Sequence, residues 1–227
     1  VLGIKFPPLF GYNINEATDV LLKRDFDKYR EQQLPHPFLV QAGMGHLVPF
    51  RHEEFHKWTV AMQLGLRTVF EPAHFIIGGG LDDVWLNQDT EKIHVVEYKS
   101  TSSKKPGKKM TVEDPWKISY RRQVELYQWI LRRNGFDVSD TVYFLYCDGD
   151  RFDDRDFLRQ EDAVMQFKMS LFEYEGDDSW VEDTLFAIKE TLLQPRCPEH
   201  AQSGFGIERN LPCEYGILLK RVKDQGL

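Results

Sequence analysis

Apolar positions recur along this chain in two rhythms. From Asn15 to about Gln33, the residues Ala17, Val20, Leu21, Phe26 and Tyr29 include the three- and four-residue spacings of an amphipathic helix. Asn13 or Asn15 caps it, and Leu34-Pro35-His36-Pro37 ends it. Residues 38–50 hold two glycines and two small apolar runs, the pattern of a loop or short strands. His52 to about Leu64 reads as a second helix, with Gly65 near its end. The rhythm then shortens. Arg67–Glu71, His74–Gly78, Leu81–Asn87 and Ile93–Tyr98 are brief and rich in Val, Ile, Phe and Trp, which predicts strands. Asn87-Gln88-Asp89-Thr90 between the last two predicts a hairpin turn. Pro115–Asn134 reads as a helix closed by Asn134-Gly135. Thr141–Cys147 is an apolar strand, 148–162 an acidic loop, Val164–Tyr174 an alternating strand, and Trp180–Leu193 a helix stopped by Pro195. This order predicts a layered mixed α/β domain over 1–195, followed by a tail, 196–227, with little period before Gly216.

Composition narrows the class. The chain has 227 residues, 41% hydrophobic and 29% charged, the balance of a folded, water-soluble domain. No apolar run approaches the roughly 18 residues of a membrane span, so no membrane association is expected. The opening residues, from Val1, lack the basic-then-apolar pattern of a secretory leader. Three cysteines are too few for a disulfide framework, which favours a reducing compartment and a cytoplasmic location.

Net charge is −7, which by itself argues against a nucleic-acid coat protein. The distribution argues otherwise. Between Lys99 and Arg133 ten basic residues face three acidic ones, a net +7. The remainder has 19 basic and 33 acidic residues, a net −14. One basic segment on an acidic body suits a protein that meets a polyanion at one place. Its blander alternative is a solvated lysine loop beside a charged helix face.

The chemistry-bearing residues gather around the predicted hairpin. Asp82 and Asp83 lie in Gly78-Gly79-Gly80-Leu81-Asp82-Asp83-Val84-Trp85, and Glu97-Tyr98-Lys99 ends the next strand. Strand alternation puts Glu97 and Lys99 on one face and Tyr98 on the other. In the right register the hairpin sets Asp82 beside Glu97. Adjacent carboxylates repel, and a hard divalent cation relieves that repulsion. A neighbouring lysine can face an attacking water or a phosphate oxygen. The set suits phosphodiester hydrolysis, in which magnesium or manganese neutralises the phosphate and acidifies a water. An isolated Glu-x-Lys is more often a surface ion pair. On the following helix Gln123 and Tyr127 are four apart, hence on one face.

The ordered set Gly79-Gly80-Leu81-Asp82, Glu97-Tyr98-Lys99 and Gln123-x-x-x-Tyr127 resembles the PD-(D/E)XK nuclease superfamily in its RecB-like branch. That resemblance implies a restriction-endonuclease-like α/β core, a central mixed β-sheet flanked by helices. It implies a metal-dependent exonuclease acting on DNA with Mg2+ or Mn2+. Asp82, Glu97 and the carbonyl of Tyr98 would then hold metal, Lys99 would be the catalytic lysine, and Gln123 and Tyr127 would assist substrate. Asp82 is preferred to Asp83 because it fits Gly-x-x-Asp and because alternation leaves only one of the two on the right face. The family's first-helix metal histidine is replaced here by Asp19, with Glu16 in reserve; aspartate suits a hard cation. Lys104, Lys105, Lys108, Lys109, Arg121 and Arg122 would guide the DNA backbone. A DNA-holding module of the same fold that works with a protein partner is the alternative.

The tail carries Cys197, His200 and Cys213. RecB-like nucleases of the CRISPR adaptation and AddB types hold an iron–sulfur cluster with one cysteine before the first helix and three after the last. Here two tail cysteines and none before Cys147 leave such a cluster incomplete, unless a ligand precedes Val1. Cys197, His200 and Cys213 also suit Zn2+, and free thiols are the plain reading. Cys147, ending an apolar strand, reads as core. His52 and His56 are four apart but lack the zinc-protease order, and Trp116 and Trp129 offer either base stacking or helix burial.

Overall fold

The computed structural model describes residues 13–60, 64–105, 111–114 and 117–195, with isolated positions between 217 and 225. Its elements follow in the order α1 (Asn13–Gln32), α2 (Pro37–Gln41), β1 (Leu47–Pro49), α3 (Phe55–Trp58), β2 (Leu66–Phe70), β3 (Phe75–Gly79), β4 (Asp83–Asn87), β5 (Ile93–Thr101), α4 (Ile118–Arg133), β6 (Thr141–Gly149), β7 (Phe167–Glu175) and α5 (Val181–Leu193). By packing, the described residues up to Asp183 form one unit, and those from Thr184 onward belong to a second. The sheets and α1 to α4 belong to the first.

A five-stranded sheet in the order β1-β4-β5-β6-β7 carries this unit. β5 and β6 are parallel and the other neighbours antiparallel, so the sheet is mixed, as expected. The hairpin turn forms where the sequence placed it. The Asn87 side-chain oxygen accepts the amides of Asp89 at 2.9 Å and Thr90 at 3.2 Å, and Glu91 turns the chain with φ of 59°. β5 runs on to Thr101, beyond its expected end. The closure of α4 also holds. Phe136 N–H reaches the Leu131 carbonyl and Gly135 N–H that of Arg132, with Gly135 at φ 90°.

One sheet face packs on α1 and α2 through Phe26, Leu39, Leu47, Trp85, Val96, Tyr98, Tyr143 and Leu145. Phe26 stacks on Trp85 at 5.3 Å and on His36 at 4.4 Å. α4 lies against β5, β2 and β3, with Val124, Ile130 and Leu131 fully buried. Cys147 is a buried free thiol in β6, as expected of core.

Several elements differ from the sequence expectations. β2 and β3 form their own two-stranded sheet rather than joining the central one. The glycines that end β3 supply little to pack inside a central strand, and instead admit a ring. A Cβ on Gly79 would stand 2.8 Å from Tyr127 Cε1. The helix expected over His52–Leu64 is a single turn. The Lys57 carbonyl accepts Gly65 N–H at 2.9 Å, and Gly65, at φ 69°, folds the chain back. α2 occupies residues read as loop, opened by Pro37 and capped by the His36 ring, whose Nδ1 accepts Phe38 N–H at 3.0 Å. On α1, Val20 and Leu21 face outward, while Thr18, Leu22, Phe26 and Arg30, four apart, face in. β4 begins at Asp83, leaving Asp82 just ahead of it, and β7 begins at Phe167.

Candidate active site

The β4–β5 register sets Asp83 opposite Val96 and so brings Asp82 level with Glu97. Asp82 is fixed by the sheet itself, since its Oδ2 accepts the Tyr98 N–H at 2.9 Å. Its Oδ1 accepts the Lys23 ammonium of α1 at 3.3 Å, and the same ammonium lies 2.9 Å from Asp19 Oδ2. Asp19 and Asp82 therefore meet through Lys23. Burial pushes the Asp82 carboxyl above its ordinary range; Lys23 opposes this, Asp19 adds to it, and the Tyr98 amide and Lys99 oppose it. The paired carboxylates hold the Lys23 ammonium above the usual lysine value despite its burial.

Glu97 is 2% exposed. Its Oε1 accepts the Lys99 ammonium, while Oε2 is buried with no hydrogen-bond partner. A buried carboxylate oxygen left this way costs free energy unless a proton or a cation meets it. Burial, and then the charge of Asp82, push the Glu97 carboxyl up to about 8 against the pull of Lys99. Lys99 also lies over the Tyr120 ring, 4.4 Å from its centroid. The side of β5 that carries Glu97 and Lys99 continues onto Phe144 and Tyr146 of β6.

Gln123 and Tyr127 act as a pair. Gln123 Nε2 donates to the Tyr127 hydroxyl at 3.2 Å, and that hydroxyl donates to the Gly80 carbonyl at 2.8 Å. They thus hold the turn that delivers Asp82. Burial raises the Tyr127 hydroxyl to about 12; the Gln123 bond opposes this, and the charges of Glu97 and Asp82 add to it.

Asp83 has a different neighbourhood, fully buried on the opposite side of the sheet. Its oxygens accept Arg30 Nη2 at 2.6 Å, Tyr98 Oη at 2.6 Å, Val84 N–H at 2.7 Å and Trp85 Nε1 at 3.2 Å. Arg30 also donates to Asp27 and to the Phe50 carbonyl and lies over the Phe55 ring. Tyr98 consequently ties both acids, Asp82 by its amide and Asp83 by its phenol.

Among the basic residues, Lys104 and Lys105 are exposed just past β5. That stretch is anchored where Ser102 Oγ donates to the Gly149 carbonyl and Ser103 N–H to Asp148. Arg121 is engaged with the carbonyls of Val112 and Asp114, and Arg122 lies 5.8 Å from the Trp180 ring centre. Lys108, Lys109, Trp116, Cys197, His200 and Cys213 lie outside the described residues. His52 stacks on Trp58 at 4.6 Å, inside an aromatic cluster apart from exposed His56. Trp129 is buried against Phe70. Glu16 is exposed on α1.

Sequence reasoning passed over Lys23, Tyr120 and the Arg30–Asp83 pair. The spacing Asp19-x-x-x-Lys23 signals only a helical ion pair; that Lys23 also reaches Asp82 is a tertiary fact.

Among the described residues no group of three or more His, Cys, Asp or Glu side chains is placed to hold a metal ion. The fit to a hard divalent ion rests on less: two adjacent carboxylates, one with an unmatched buried oxygen. Oxygen donors of this kind suit Mg2+ or Mn2+.

The mixed sheet, with an acidic pair at the mouth of the β4–β5 hairpin and a lysine two residues on, is the restriction-endonuclease-like core. The chain belongs to the PD-(D/E)XK nuclease superfamily, which it matches over residues 15–215. Members of that superfamily are generally nucleases, typically using Mg2+ or Mn2+. No curated protein matches the chain. No described helix is long and apolar enough to cross a membrane.

Proposed function

We propose that this chain is a metal-dependent deoxyribonuclease of the RecB-like type, acting as an exonuclease. The observation that carries the reading is the Glu97 carboxyl. Lys99 takes one of its oxygens, and the other is buried beside Asp82 with no partner. Asp82, Glu97 and the Tyr98 carbonyl would hold Mg2+ or Mn2+. The ion, when bound, supplies charge neutralisation at the phosphate and a more acidic water. Asp19 lies one ammonium away from this set.

Lys99 presents its ammonium at the reacting phosphate, where it stabilises developing negative charge or orients the nucleophile. Gln123 and Tyr127 fix the Gly80 carbonyl and hence the reach of Asp82. Lys104 and Lys105, with Lys108 and Lys109 in the same sequence run, meet the DNA backbone. Domain limits of 1–195 with a Cys/His tail, and a cytoplasmic setting, belong to the same reading.

The test is digestion of linear, circular, single-stranded and double-stranded DNA while Mg2+ or Mn2+ is titrated. Linear DNA is degraded and circles are spared. Lys99→Ala and Glu97→Ala lose cleavage by at least about a hundredfold, with the circular dichroism of the folded chain kept. Cleavage by either variant at the parent rate refutes the assigned roles.

One observation favours a second reading, a DNA-holding module that works with a partner. Lys23 already neutralises Asp82 and Asp19. Salt-dependent DNA binding without cleavage at any metal concentration would select that module.

A further inference from the structure

The acidic groups around Asp82 already have a cation of their own, and its position restricts how any other can enter. Asp82 has two oxygens. The Tyr98 amide takes Oδ2 at 2.9 Å, and the Lys23 ammonium takes Oδ1 at 3.3 Å. The same ammonium satisfies Asp19 Oδ2 at 2.9 Å. Lys23 therefore bridges two elements, the α1 helix and the turn before β4, with one point charge.

We infer that Lys23 is a resident counter-cation that a divalent ion must displace from Asp82. This rests on the metal-dependent reading above. Oδ2 is held by the Tyr98 amide, a backbone group of β5 that has no side-chain freedom to move away. The oxygen open to exchange is Oδ1, and a divalent ion claiming it is repelled by the ammonium already there. Glu97 makes no such demand, because its Oε2 has no partner to give up.

Displacement needs no movement of the backbone. Lys23 stands one helical turn after Asp19, and its side chain is 25% exposed, so the flexible stem has solvent to turn into. In the metal-free chain its charge lets two carboxylates approach one another. On metal binding, that task passes to the ion.

The experiment uses the full chain stripped with a chelator and titrated with Mn2+ alone, read by calorimetry and by thermal shift. Lys23→Met removes the charge and keeps the length and helix preference. Lys23→Gln keeps a hydrogen-bond donor and guards against a packing artefact in the first variant. Both are expected to bind Mn2+ at least about tenfold more tightly than the parent. Both are also expected to melt lower than the parent without metal and to gain more from Mn2+. Asp82→Asn and Glu97→Gln report on the site itself and weaken binding in every background.

Unchanged or weaker Mn2+ binding in both Lys23 variants, still dependent on Asp82, overturns the counter-cation role and leaves the metal reading intact. Mn2+ binding that ignores Asp82→Asn and Glu97→Gln, or no binding in any variant, overturns the metal reading and this role with it. Mn2+ binding by the Lys23 variants alone supports the role and identifies Lys23 as a standing block.

Discussion

Replacing Glu97 by glutamine exchanges the buried carboxyl for an amide of nearly the same shape. In the folded chain, burial and then Asp82 raise this carboxyl from the ordinary 4.5 to about 8, with Lys99 opposing. The folded pKa thus lies above the unfolded one. Between those two values the folded chain holds a proton that the unfolded chain has released, so stability falls as pH rises. The contribution is complete below pH 4.5 and gone once pH has passed through about 8. An interval of that size is worth on the order of a few kcal/mol. Glutamine has no proton to lose and escapes this cost. Urea denaturation in chelator, from about pH 5 to about pH 9, should show the variant gaining on the parent by that amount, with the urea dependence unchanged. At high pH, Mn2+ should restore the parent and leave the variant unmoved, since the ion takes the place of the proton. Parent and variant curves that stay parallel within about 1 kcal/mol across the range would refute the reasoning.

Three further substitutions probe the packing around the site. Arg30→Met leaves Asp83 buried without its cation and should cost about 3–5 kcal/mol in denaturant unfolding; a loss under about 1 kcal/mol would show that Tyr98, Trp85 and the Val84 amide suffice. Gly79→Ala drives a methyl against the Tyr127 ring, to within 2.9 Å of its hydroxyl, and should cost about 1–3 kcal/mol by the same measurement. Because the ring holds the Gly80 carbonyl, cleavage should also slow in Gly79→Ala, and Tyr127→Phe should share that slowing with a smaller stability loss.

What the sequence displayed was mostly local. The α4 helix announced itself by a long periodic run and the Asn134-Gly135 stop, and the β4–β5 hairpin by its Asn87 turn. Once those two strands pair, Asp82 has to stand level with Glu97, so the acidic pair was legible as well. Alternation also put Asp83 on the other face, where the structure buries it against Arg30. The misreadings came where distant contacts outweigh local pattern. Val20 and Leu21 look like a core face, yet the inward row is Thr18, Leu22, Phe26 and Arg30, because the sheet presents Asp83 to an arginine. The stretch after His52 has helical spacing, but Trp58 is buried against His52 and Gly65 reverses the chain after one turn. Lys23 was silent because its significance lies in an aspartate 59 positions away.

The parallel pairing of β5 with β6 has a kinetic consequence. β4 and β5 are joined by a short turn and can meet as soon as both exist, so the two acids find each other early and cheaply. β6 is different: to lie alongside β5 in the same direction, the chain must leave the sheet, run through the basic stretch and α4, and return, so that Glu97 faces Phe144 only after a long loop has closed. Enclosing Glu97 and Lys99 therefore carries a larger loop-closure cost than bringing the two acids together. Before that loop closes, the carboxyls face water, where their mutual repulsion is screened.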